Sequence, residues 1–172
     1  MDTNSNSKND TGILLVGHGS RLPYNKEVVQ AVAAKYAETQ PDYNIEVGFM
    51  ELAEPNIPTA FNKLKETGVK KIIVTPVFLA HGLHTKRDIP TILGLEVAED
   101  AKKLGSGHSH GHHHHHGHDH ADGEEHGHHH HHHHGEEVET VEFDGEIIYT
   151  EPLGADDAIV NIVAERVNPH LE

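Results

Sequence analysis

Residues 105–137 interrupt this chain with a stretch that has no means of building a core. Its only conventionally apolar residue is Ala121; the rest is His, Gly, Ser, Asp and Glu. Such a composition buries too little surface to offset the entropy of ordering the chain, and it predicts a disordered loop. The tract is internal and broken by Gly, Ser, Asp and Glu, unlike a terminal expression tag. The polar leader 1–11 is also expected to be disordered. Setting both aside leaves roughly 130 residues, enough for one core. The expected organisation is a single domain over 12–172, interrupted at 105–137.

The tract holds most of the histidine in the chain. Of 21 histidines, those at His108, His110, His112, His113, His114, His115, His116, His118, His120, His126, His128, His129, His130, His131, His132, His133 and His134 fall inside it. Near neutral pH these imidazoles are largely uncharged, and that form binds zinc, nickel and cobalt. They read as an accessory metal tract, the alternative being a dispensable insertion.

Composition excludes several classes. There is no cysteine, hence no disulfide framework, thiolate zinc site or Cys nucleophile. Thirteen Lys plus Arg against 28 Asp plus Glu give a formal charge of -15. That balance opposes binding to a phosphate backbone, so no nucleic-acid partner is expected. No apolar run approaches the length of a membrane span and Met1–Asp10 lacks a signal-peptide core, so a cytoplasmic protein without membrane contact is expected.

The rest alternates strand and helix. Ile13–Val16, Ile45–Met50 and Lys71–Leu79 read as strands, with Pro76 expected to weaken the last of them. Pro23–Thr39 reads as a helix with Val28, Val32 and Tyr36 on its apolar side, beside Val29 and Ala33. Pro58–Thr67 and Thr85–Leu104 read as helices, the latter interrupted at Gly94. Val138–Phe143 and Glu146–Thr150 suggest a hairpin around Asp144-Gly145. Ala155–Val167 is a final helix with Ile159, Val163 and Val167 on one face. Near-continuous apolar strands between helices imply an α/β fold with a parallel sheet covered on both faces. Ligands of such sheets sit beyond the strands' carboxyl ends.

That rule points to Gly17–Arg21, Met50–Pro55 and Ala80–Arg87. His18 stands between two glycines, which permit a tight turn and close ligand approach; a turn histidine capped by Ser20 is the structural alternative. His81 and His84 follow the third strand, and with His18 could hold a metal while leaving coordination positions open. Equally, only one of the two points inward. Glu51 and Glu54 flank the second strand's end, where one could accept protons or orient an imidazole, or Glu54 could simply favour the next helix's N-terminus. Arg21, Lys86 and Arg87 sit beside the histidines and could receive an anionic substrate, or form a solvated face, or pair with Asp88.

Together these segments carry a family likeness. Leu15-Val16-Gly17-His18-Gly19-Ser20-Arg21 resembles the opening motif of the small class II tetrapyrrole chelatases. Glu51–Pro58 and Val77–Pro90 resemble the second and third motifs, and Glu151–Asp157 the fourth. The short archaeal form, the sirohydrochlorin nickelochelatases and cobaltochelatases, is the form it resembles; several carry a His-rich insertion at this place. The resemblance implies a chelatase-like, four-stranded parallel sheet with helices on both faces. It also implies a homodimer, because longer relatives contain two such halves. It assigns His18 as metal ligand and proton acceptor and His84 as second ligand. Glu54 and the segment Leu79, Ala80, His81, Gly82, Leu83 and His84 correspond to substrate-contacting positions. The implied reaction inserts Ni²⁺ or Co²⁺, as substrate metal with no permanent cofactor, into sirohydrochlorin. The product would serve the methanogen nickel tetrapyrrole coenzyme or cobalamin. Two other classes compete: a nickel or cobalt storage or delivery protein acting through the loop, and a phosphoryl-transfer enzyme using His18 as nucleophile.

Overall fold

The computed structural model describes residues 10–103 and 138–172. The tract at 105–137, read as a disordered loop, lies outside the described residues, as does nearly all of the leader. β1 (Thr11–Gly17) starts inside the segment read as leader, and the Asp10 carbonyl already accepts a bond from Lys70 N.

Four strands form one sheet in the order β2-β1-β3-β4, with every pairing parallel. They are β1, β2 (Asn44–Phe49), β3 (Lys71–Pro76) and β4 (Glu146–Tyr149). The continuous apolar run of β1 is explained by what covers it. Leu14 and Val16 face one core with Ile72 and Val74, closed by α2 (Ile57–Glu66) and the short α3 (Ile89–Ile92). Ile13 and Leu15 face the opposite side, against Ala33 of α1 (Tyr24–Thr39). Helices therefore lie on both faces, as the pattern requires.

β3 stops at Pro76, short of Leu79. Proline has no N–H for the ladder, and the next residue, Val77, donates to Val16 O at 2.8 Å instead.

Three expectations need correction. The hairpin does not form. Val138–Phe143 has no strand structure; Val141 donates to Ile92 O and is buried against α3, while Phe143 stacks edge-on with Phe61. β4 pairs with β3 in parallel. Gly145 is needed there for proximity rather than for a turn, since a Cβ would lie 2.2 Å from the Lys70 carbonyl oxygen that Glu146 N bonds. On α1 the buried residues are Val29 and Ala33, while Val28, Val32 and Tyr36 are exposed. The helix expected over Thr85–Leu104 is three pieces: a π-helix (His84–Asp88), α3, and α4 (Glu99–Lys102), with Gly94 in the break at φ +70°.

Candidate metal centre

Three strand ends converge. β1 and β2 are tied past their ends by Met50 N to Gly17 O at 3.0 Å and Glu51 N to His18 O at 3.2 Å. The Gly17–Ser20 turn is held by Asn25 of α1, whose Oδ1 accepts Gly19 N at 2.8 Å. Beyond β3 the chain runs through Leu79–Leu83 into the π-helix, which begins on His84. Pro90 has no N–H to return to Lys86, and the ladder widens there, with Ile89 N bonding His84 O. Such π-turns favour functional positions.

The result is a trio. His18, Glu51 and His84 each offer a donor atom within 4.8 Å of the other two. The two imidazole rings meet edge to face with centroids 4.8 Å apart, and His18 rests against Phe78. His18 Nε2 lies 3.8 Å from Glu51 Oε1. The His18 Nδ1 donates to Gly19 O at 2.8 Å. A carbonyl only accepts, so Nδ1 carries a proton, and in the neutral ring the lone pair lies on Nε2. Side-chain exposures of 42%, 48% and 37% for His18, Glu51 and His84 leave the trio open on one side. Three donors with an open flank can hold a divalent ion and still admit another ligand.

His81 is not part of this trio. Its Nε2 pairs with the Glu151 carboxylate and its Nδ1 with Thr85 Oγ1 at 3.1 Å. That hydrogen bond, then the charge on the ring and on Lys86, hold the Glu151 carboxyl below its ordinary value. The Glu151 end of this tie is therefore ionised above the ordinary carboxylate pKa and is neutralised only as pH falls through the lowered one. Behind it, Tyr149 donates to Thr85 O at 2.7 Å. Burial, and next the Glu151 charge, push its phenol well above the usual range, so it stays a donor.

Glu54 turns away onto its own loop, its Oε2 accepting Asn56 N at 3.2 Å. Leu79, Ala80 and His81 line an apolar cavity of 790 Å³ with Glu151–Ala155 and Ile159, Val160 and Val163 of α5 (Asp157–Val167). The trio does not line this cavity; the segment Leu79–His84 joins the two. The segment after β4 extends the sheet edge to this place through Thr150 N to Val74 O, Leu153 N to Phe78 O and Gly154 N to Leu79 O. The family motif points to Glu54, whereas the carboxylate that joins the two histidines is Glu51. Asp88 is a candidate partner of the neighbouring basic residues in the sequence, and it does pair with Arg87. Glu151 opens the fourth motif. Their pairings with His84 and His81 are not legible there, being set by an unforeseen π-turn or by residues distant in sequence. Tyr149 carries no signal of its own.

Known proteins similar to this chain identify its family. A sequence model of the CbiX family matches residues 12–170. The chain is 53% identical over 167 residues to a sirohydrochlorin cobaltochelatase of Methanothermobacter thermautotrophicus, covering 97% of each. It is 49% identical to one from Methanopyrus kandleri, covering 92% of this chain and 96% of that protein. Among solved structures, the sirohydrochlorin chelatase SirB of Bacillus subtilis, in complex with cobalt, is similar with a TM-score of 0.57 and 25% identity. It covers 94% of this chain, which spans 51% of that longer one. Matching over nearly its whole length, and carrying the four motifs in order, this chain belongs to the CbiX family.

Proposed function

We propose that this protein is a metal chelatase that inserts Co²⁺ into sirohydrochlorin, and that it accepts Ni²⁺ as well. The observation that carries this reading is the open His18–Glu51–His84 trio beside a cavity sized for a large ligand. The names of the methanogen relatives support the substrate and the cobalt. Nickel rests on chemistry: imidazole donors suit both ions, with nickel next to cobalt in the affinity order.

Insertion exchanges one divalent ion for two pyrrole protons. A complete ring of protein ligands would retain the ion, whereas three donors from one side can release it to four pyrrole nitrogens. Imidazole nitrogen cannot bind metal and take a proton at once. His18 therefore acts in succession, first as ligand and then as acceptor once the ion has left. Glu51, beside its Nε2, supplies a second acceptor. Arg21, Lys86 and Arg87 receive substrate carboxylates, reversing locally the repulsion expected from a chain at -15. Glu54 and Leu79–His84 contact the macrocycle. The product serves cobalamin and, with nickel, the methanogen tetrapyrrole coenzyme.

The working unit is a homodimer. The longer SirB chain has room for two such domains, and α5 presents Val160, Ile162, Val163 and Val167 exposed, with none of its residues buried. Sedimentation at twice the 19.0 kDa chain mass would support this, and a monomer at working concentration would refute it.

The test of activity is insertion into sirohydrochlorin followed by absorbance, with cobalt and nickel supplied singly and in competition. Absence of turnover with either ion removes the chelatase reading. The histidine tract gathers metal for this site. α4, its last described neighbour on the N-terminal side, contributes Asp100 and Ala101 to a hollow shared with His81–Leu83 and Lys86. Deleting 106–135 is expected to slow insertion at limiting metal and leave it unchanged at saturation. Equal rates at both would show the tract dispensable. Bulk cobalt or nickel binding that survives loss of His18 and His84, without turnover, would favour the storage reading.

A further inference from the structure

The two histidine ligands are braced differently. His18 Nδ1 donates to a neutral backbone carbonyl, Gly19 O. His84 Nδ1 lies 2.8 Å from Asp88 Oδ2, one carboxylate oxygen, while the other, Oδ1, accepts Arg87 Nε at 2.8 Å. The π-helix puts residues 84 and 88 side by side, and the Asp88 side chain is three-quarters covered. An ionised carboxylate is acceptor-only, so the imidazole proton sits on Nδ1 and the Nε2 lone pair is left for the ion. A charged acceptor also makes its imidazole a better donor to metal than a carbonyl does.

We propose that Asp88, braced by Arg87, is a positioning residue that fixes the tautomer of His84 and makes it the stronger of the two histidine ligands. The ion then leaves His18 first and His84 last. That order frees His18 for a proton while the metal is still held over the macrocycle. One of the five Arg87 donors is committed to this brace, and the remainder of the guanidinium is available to substrate. The inference rests on the chelatase reading, and its test separates the two.

The tautomer is read without turnover. Long-range nitrogen–proton spectra of the full, histidine-labelled chain, alkaline of imidazole titration, identify the His84 ring by its loss in His84→Ala. The expected result is a protonated Nδ1 in the parent chain and a solvent-like tautomer mixture in Asp88→Ala. In insertion assays with free Co²⁺ set by a metal buffer, Asp88→Ala should raise the KM for cobalt about 10–100-fold, the usual effect of losing an outer partner of a metal ligand. The sirohydrochlorin KM, which reports Arg87 released from its Asp88 partner, should change by less than the cobalt KM. Asp88→Asn offers one oxygen to two donors; Arg87 Nε takes it, the amide NH2 turns to His84 Nδ1 and the ring proton moves to Nε2. This variant should therefore raise the cobalt KM at least as far as Asp88→Ala. A His84 tautomer unaffected by Asp88→Ala overturns the proposal. So does a sirohydrochlorin KM that rises while the cobalt KM holds. If the parent chain inserts no metal, the chelatase reading fails, and the spectra still decide whether Asp88 orients His84.

Discussion

His84→Ala is expected to abolish cobalt insertion and leave the fold intact. His84 is more than a third exposed and opens the π-helix; its ring contacts are with His18 and Asp88. Removing it leaves no large cavity, because the core beneath is built from Ile89, Ile92 and the strand residues. The remaining pair, His18 and Glu51, makes a weak site for a divalent ion. Insertion should fall by more than the roughly 100-fold that losing an outer-shell partner can cost. Thermal unfolding and circular dichroism should match the parent protein. Full insertion with either metal would remove His84 from the ligand set. Unfolding would show that the π-turn depends on its first side chain.

The second large effect is expected at a residue with no functional group. In Gly19→Ala the new Cβ would stand 1.8 Å from the backbone oxygen of Glu51. Gly19 also sits at φ +84°, where an L-residue is strained by about 1–3 kcal/mol. Backbone cannot swing aside as a long side chain can, so the turns carrying His18 and Glu51 must part. Both insertion and stability should suffer, with the melting temperature lowered by roughly 5–10 °C. Metal affinity at the trio should fall with them. A variant with unchanged melting and activity would mean that the close approach of these two strand ends is not required.

Legibility in the sequence followed the range of the interactions. The strands β1–β3 and helices α1 and α2 could be read because each buries a run of side chains in a sheet covered on both faces. The turn at His18 and the segment at His84 could be located by the strand-end rule, and the family motifs then separated His84 from His81. In the structure His81 is occupied at both ring nitrogens by Glu151 and Thr85. Competition between local and distant signals accounts for the failures. Asp144-Gly145 carries a strong hairpin signal, but parallel pairing of Ile72 with Ile147 and of Val74 with Tyr149 prevailed. On α1, Val28-Val32-Tyr36 and Val29-Ala33 are both helical stripes; the smaller pair is the buried one, with Ala33 against Ile13 and Leu15. The π-turn depends on how Pro90 alters the ladder before it, which periodicity does not report.

The segments on either side of 104–137 are each pinned by a buried side chain, Ala101 in α4 on one and Val141 against α3 on the other. Neither anchor belongs to a strand or to the metal trio. For a flexible loop between fixed ends, each doubling of length costs only about 0.6 kcal/mol in closure entropy. The number of histidines can therefore grow or shrink over generations with little demand on the domain. Under the proposed function, metal supply and metal chemistry would be separately adjustable traits within one chain.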